Sequence, residues 1–226
     1  MATCTHEIGT ADTGNTPNTT GTFTPAAGDL LIVFCVGSVT VEGADVVSNS
    51  AGLTFTLVES AAYNATGNTV QVYVANQLAT AVSQTCTWTP ADTATGSNIL
   101  VCAVAGMTRT GLSAIRQFAK QDNQGAGGTP APAFSVAALT GNPTLGCVGN
   151  NSTAPIITEP TGWTEPAGGD ISYATPTTGA AYCFRNSGFT GTTVTWGSTS
   201  ASVFGSLIVE LDASVPVAGS GFFNFF

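Results

Sequence analysis

His6 is the only histidine in this 226-residue chain. A nucleophilic relay needs such an imidazole to meet both a serine and a carboxylate, and no Gly-x-Ser-x-Gly elbow is available to hold the serine. His6 therefore reads as a polar residue on a strand edge. Glu159, Glu165 and Asp170 lie close in sequence, but glycoside hydrolysis needs two carboxyls facing each other across a cleft of roughly 5–10 Å. The same acids could offer oxygens to calcium, yet no Asp-x-Asp-x-Asp ladder accompanies them. Six cysteines (Cys4, Cys35, Cys86, Cys102, Cys147, Cys183) form no Cys-x-x-Cys pair with partner histidines, which argues against zinc. Cys35, Cys102, Cys147 and Cys183 fall in apolar runs, where a free thiol behaves as a small buried hydrophobe. The expectation is a non-enzyme with no catalytic residue, no metal and no cofactor.

The elements that carry these residues are written twice. From Gly28 the chain runs through residues 28–38, 52–56, 70–76, 87–89 and 99–104. From Gly141 a similar order appears at 145–150, 161–165, 181–186, 194–197 and 207–211. Cys35-Val36-Gly37 aligns with Cys147-Val148-Gly149, Tyr73 with Tyr182, and Trp88 with Trp196, so one β unit of about a hundred residues is used twice, too few copies for a solenoid. Short β-type runs separated by Gly, Asn, Pro, Ser and Thr predict seven or so strands per copy. In the first they fall at 4–9, 20–24, 29–37, 54–60, 69–75, 84–88 and 98–105. In the second they fall at 114–119, 134–139, 144–149, 162–165, 179–185, 192–196 and 204–211. Alternation over residues 69–74 predicts a half-buried strand, while the apolar runs at 30–36 and 99–104 predict strands covered on both faces. The fold class expected is all-β, as two tandem antiparallel β-sandwich, jelly-roll-like domains. Residues 1–107 form the first, 108–212 the second and 213–226 a Gly/Phe-rich docking tail. A single merged sandwich is the alternative. So tight a junction, near 107–112, implies a shared interface.

Aromatic residues supply the remaining chemistry. Trp88, Trp163, Trp196, Tyr73 and Tyr182 could stack on sugar rings, since they combine an apolar face with a polar tip. Trp88 and Trp196 hold equivalent places in the repeat, as core residues do, which leaves Trp163, with Glu165 beside it, as the candidate glycan contact. Beyond a spacer at 215–221 come Phe222, Phe223, Phe225 and Phe226. Burying each phenylalanine is worth roughly 1.5–3 kcal/mol, so four of them left in water invite aggregation. They are the candidate partner-binding residues, inserted in a neighbouring protein as an added strand or as anchors. Packing back on their own domain is the other outcome.

Only 8% of residues are charged, against roughly a quarter in ordinary soluble domains. Thr, Ser, Gly and Ala keep such a surface polar, as is common where protein covers protein. The net charge of −9, with only Arg109, Arg116, Lys120 and Arg185 as strong bases, excludes nucleic acid as a partner because a phosphate backbone would be repelled. Residues 1–7 carry neither a basic nor an apolar leader region, and the apolar run at 30–36 falls far short of the ~20 residues that span a bilayer. The chain is expected to be made in the cytoplasm and to engage no membrane. The Asn-x-Ser/Thr triplets at Asn18, Asn64, Asn150 and Asn151 then read as accidents of a Thr-rich sequence.

Gly-Asp-Leu-Leu-x-Val, followed by Pro160-Thr161-Gly162-Trp163-Thr164-Glu165, an aromatic strand, Thr-x-Thr-Trp and a closing apolar strand, resembles a β-sandwich repeat of uncharacterised, virion-associated proteins of tailed phages and prophages. Met107-Thr108-Arg109-Thr110-Gly111 leading to Thr129-Pro130-Ala131-Pro132-Ala133-Phe134 adds to the likeness. The resemblance covers all but the last dozen residues and rests on packing motifs. The first copy departs from it, with Gly52-Leu53-Thr54-Phe55 in place of Gly-Trp-Thr. The resemblance implies a virion structural protein, foremost a capsid decoration or cement protein. Its partners would be the major capsid protein or other virion proteins and copies of itself, a trimer on symmetry grounds. A carbohydrate-binding adhesion module of a tail fibre or cell surface, or a subunit of a self-assembling extracellular filament, are the alternatives.

Overall fold

Runs of β-branched and aromatic residues, closed off by Gly, Asn and Pro, fold as strands because they suit a pleated and buried surface. The computed structural model describes residues 1–12, 17–38, 45–63, 68–76, 78–91, 96–125, 128–151, 157–174, 177–197 and 203–214. The strands of the first half are β1 (Thr3–Asp12), β2 (Asn18–Thr19), β3 (Leu30–Ser38), β4 (Val46–Asn49), β5 (Phe55–Tyr63), β6 (Asn68–Ala75), β7 (Cys86–Thr89) and β8 (Gly96–Ala105). A 3-10 turn, Gly111–Ala114, leads to β9 (Ile115–Gln124), β10 (Thr144–Asn150), β11 (Asp170–Ala174), β12 (Thr177–Arg185) and β13 (Phe204–Leu211).

The protein is an all-β sandwich with antiparallel pairing throughout its named strands. One sheet has the order β1-β8-β3-β6-β5, a second β11-β12-β10-β13-β9, and a small third β2-β7-β4. In the first half β1 pairs with β8, β2 with β7 and β3 with β6. That nesting of first with last is the wiring of a jelly roll. Read backwards, the second sheet becomes β9-β13-β10-β12-β11, which matches the first sheet strand for strand. The partner of the small sheet is reduced in the second half to backbone bonds: Trp196 N–H donates to Pro130 O (2.9 Å), Val194 N–H to Pro132 O (3.1 Å), and Gly197 N–H to Thr158 O (2.8 Å). Pro130 and Pro132 lack the N–H groups that would complete a ladder. The strands expected at 134–139, 162–165 and 192–196 accordingly shrink to isolated bridges at Ala133, Thr164 and Thr193 or to no strand.

The two large sheets lie face to face. Between them, Leu30, Ile32, Phe34 and Val36 of β3 and Val70, Val72 and Val74 of β6 pack with Leu145, Cys147, Tyr182, Phe184, Leu207 and Val209 of the second half. Each sheet is covered outside as well. One outer core joins Leu31, Val33, Cys35 and Ile99 to Trp88, Cys86 and Val47, and the other joins Val148, Cys183 and Ile208 to Trp163, Trp196 and Val194. The first large sheet thus lies between the small sheet and the second large sheet, whose outer face is covered by loop residues. Gly149 brings the large sheets close, since a Cβ there would lie 2.6 Å from Val70 Cγ2 and 2.8 Å from Val36 Cγ1.

The internal alignment needs correcting. Trp88 lies over Gly37 and Trp196 over Gly146, with no room for a Cβ at either glycine. Gly37 therefore shares its outward facing with Gly146 and not with Gly149, which lies between the large sheets. Cys35 faces the outer core but Cys147 the central one, and Tyr73 and Tyr182 differ in the same way. A shift by an odd number of residues turns every side chain to the opposite face, so the repeated Cys-Val-Gly is a coincidence of spelling, whereas both tryptophans cover the outer face of their sheet.

Strand β6 is also buried along its whole length rather than half-buried. Its polar positions point into a closed network instead of water. Gln71 Nε2 donates to Asp45 Oδ2 (2.5 Å), and Gln71 Oε1 accepts from Tyr73 Oη (2.8 Å) and Trp88 Nε1 (3.2 Å). Buried polar groups are tolerated when partnered in this way.

Candidate functional site

The turn at 160–163 closes with Trp163 N–H donating to Pro160 O (3.0 Å), and Gly162 supplies the positive φ of 80° that it requires. Trp163 is only 8% exposed, edge-on to Phe189 at 5.6 Å and tilted against Trp196 at 6.3 Å. Little of either ring face remains for a sugar to stack on. Glu165 is exposed and stands at the mouth of a second turn, 166–169, that brings it back to Asp170 at the start of β11. Partial desolvation, a hydrogen bond with Asp170 and the charges of Asp170 and Glu159 push the Glu165 carboxyl up to about 8. Asp170 is raised mainly by burial, opposed by its hydrogen bond from Glu165. The three acids thus lie close enough for Glu159 and Asp170 to raise the Glu165 carboxyl. Among the described residues, no group of three or more His, Cys, Asp or Glu side chains is arranged to hold a metal ion.

His6 sits on β1 where the two halves meet, its ring 6.0 Å from that of Tyr182. Burial lowers its pKa, and Nδ1 is enclosed without a hydrogen-bond partner among the described residues. All six cysteines are free and buried. Desolvation raises Cys4, Cys35, Cys147 and Cys183, and takes Cys86 up to about 12. Asn18 is also buried, its Nδ2 donating to Ser97 Oγ (2.8 Å), so this glycosylation triplet is closed off by the fold. No helix among the described residues is long and apolar enough to cross a membrane.

Phe222, Phe223, Phe225 and Phe226 lie outside the described residues. What the described chain does offer is edges and exposed apolar side chains. The edges of the first sheet are occupied by the second half. Lys120 Nζ donates to Ser60 O (2.9 Å) and Ala62 N–H donates to Asp122 Oδ1 (2.9 Å) along β5, and Cys4 N–H of β1 donates to Asn186 Oδ1 (2.6 Å). Among the described residues strand β9 ends the second sheet, paired with β13. Around it Leu112, Phe118, Val136 and Leu139 are 44–52% exposed. The segment carrying Val136 and Leu139 is fixed by Glu210, which is fully buried. Glu210 accepts from Arg116 Nη1 (2.5 Å), Gln117 Nε2 (2.5 Å), Asn142 Nδ2 (2.8 Å) and the Leu139 N–H (2.8 Å). This corner was invisible in the sequence, because its residues come from separate segments with no motif. Compared with known proteins, the chain matches no family model, no curated protein and no solved structure.

Proposed function

We propose that the chain is a non-enzymatic structural protein of a virus particle, a decoration or cement protein on the capsid of a tailed phage. It is made in the host cytoplasm and acts through protein-protein interfaces with the major capsid protein or another virion protein. The observation that carries this reading is the doubled jelly-roll wiring around one shared core. Both faces of each large sheet are consumed internally, so the molecule meets others through its outer layers, loops and remaining edge. A surface poor in charge suits contacts of that kind, and weak contacts repeated over a lattice add through multivalency. The burial of Trp163 counts against the glycan reading. Purified protein added to a panel of stripped tailed-phage capsids is expected to saturate one of them at fixed stoichiometry and raise its disruption temperature. Absence of binding to every capsid would refute the proposal.

A further inference from the structure

The apolar corner beside β9 has two sides. Phe118 stands opposite Val209, a residue of the central core. Val136 and Leu139 lie on the outer side, where Gln117 Nε2 donates to Val136 O (3.0 Å) and Glu210 accepts from Leu139 N–H. Between them runs the β9 edge, which pairs with no strand among the described residues and is approached by β5 only through the Lys120 and Asp122 side chains. Leu112 sits just ahead, in the 3-10 turn that leads into β9.

The described chain ends at the same corner. Leu211 pairs with Ile115, Asp212 N–H donates to Ala114 O (2.8 Å), Ala213 N–H to Asn142 Oδ1 (3.2 Å), and Ser214 O accepts from Thr108 Oγ1 (3.2 Å). Residues 215–226 follow in sequence, with a Val-Pro-Val start, Gly219-Ser220-Gly221 and then Phe-Phe-Asn-Phe-Phe. At about 3.3 Å per extended residue, a segment of that length outreaches the β9 edge. In an extended strand alternate side chains point to opposite sides, so Phe223 and Phe225 would serve one side and Phe222 and Phe226 the other.

We propose that the β9 corner receives residues 215–226 of a second copy of this chain, with residues 222–226 added as a strand along the open edge. Each copy carries both the segment and the corner, so two copies can exchange segments reciprocally about a two-fold axis. Phenylalanine side chains bury about 150–250 Å² each. Two exchanged segments therefore cover roughly the 1,200–2,000 Å² of a stable interface. The inference deepens the assembly reading by naming a partner and a surface, and rests on that reading only in requiring that copies associate.

Light scattering and sedimentation of three proteins test it. The full chain is expected at twice its 22.6 kDa. A chain with Phe118→Asp and Leu139→Asp, which keeps the segment but spoils the corner, and a chain lacking residues 215–226 are each expected to be monomers with parental near-UV circular dichroism. Mixed together they should form a one-to-one complex. If the double variant fails to fold, Val136→Lys, at an exposed loop position, takes its place. A full chain that stays monomeric with its segment protected from protease would place the phenylalanines on their own copy and overturn the proposal. Association that survives both changes would overturn it as well. Loss of capsid binding with exchange intact would sink the virion reading alone.

Discussion

Replacing Gly149 by alanine drives a methyl group between the two large sheets. Its Cβ would lie 2.6 Å from Val70 Cγ2, 2.8 Å from Val36 Cγ1 and 3.0 Å from Tyr63 Cε1. None of the three can withdraw easily: the valines are β-branched and stiff, and all three side chains are fully buried. Overpacking of this kind costs typically about 1–3 kcal/mol. For a chain of this length each kcal/mol shifts Tm by roughly 2–4 °C, so a middle value predicts a fall of about 4–8 °C. Gly141, an exposed turn residue whose Cβ would meet nothing within 4 Å, provides the control, and its alanine variant should match or slightly exceed the parent. Scanning calorimetry reads both. Because the central core joins the halves, the Gly149→Ala protein should still unfold in one transition at the lower temperature. An unchanged Tm, or a split into two transitions in the parent itself, would refute the shared core.

Gln71→Leu leaves Trp88 Nε1 without its acceptor and Asp45 Oδ2 without its donor, and at about 1–3 kcal/mol for each stranded group a loss of several kcal/mol should appear in urea unfolding. Arg116→Leu removes the counter-charge of buried Glu210 while Gln117, Asn142 and Leu139 keep donating; we expect about 2 kcal/mol, below the ~3–5 of a fully stranded charge, by the same assay. Glu165 has a folded-state pKa raised from 4.5 to about 8, so the native state holds the extra proton and Tm should decline as pH rises through that window, a slope that Glu165→Gln flattens. His6 is shifted the other way by burial, so its contribution is present above pH 6.5 and lost on acidification, and His6→Gln should flatten the acid limb. The six thiols should resist a disulfide reagent in the native protein at mildly alkaline pH and all react once it is unfolded.

Much of the fold was legible because long apolar runs leave little choice. Residues 204–211 read as a strand and form β13 with those bounds, and the runs at 30–36 and 99–104 are buried on both faces as expected. Strand β11 escaped notice because Asp170-Ile171-Ser172-Tyr173-Ala174 is short and holds no apolar run, although Gly168-Gly169 and Pro176 punctuate it on both sides. Strand β4 is four residues long, shorter than any pattern can register. Gln71 misled for a different reason: alternation reports polarity, and polarity faces either water or a buried network. The acids Glu159, Glu165 and Asp170 were grouped by proximity in sequence and are grouped in space, whereas Trp163 was drawn to the surface by its turn and in fact seals a core. The β9 corner needed coordinates, since Leu112, Phe118, Val136 and Leu139 gain meaning only through the strand and the buried Glu210 that hold them.

Nested wiring sets a timetable for synthesis. Thr3 pairs with Ala105 and Asp12 with Ser97, so β1 leaves the ribosome long before β8 and must wait for it before that ladder can form. Topologies dominated by distant pairings fold slowly and stay exposed to misassociation meanwhile. With few charged side chains to hold nascent strands apart, production of this chain should gain from cooler growth and slower translation, which give the waiting edge time to find its mate before it finds another chain.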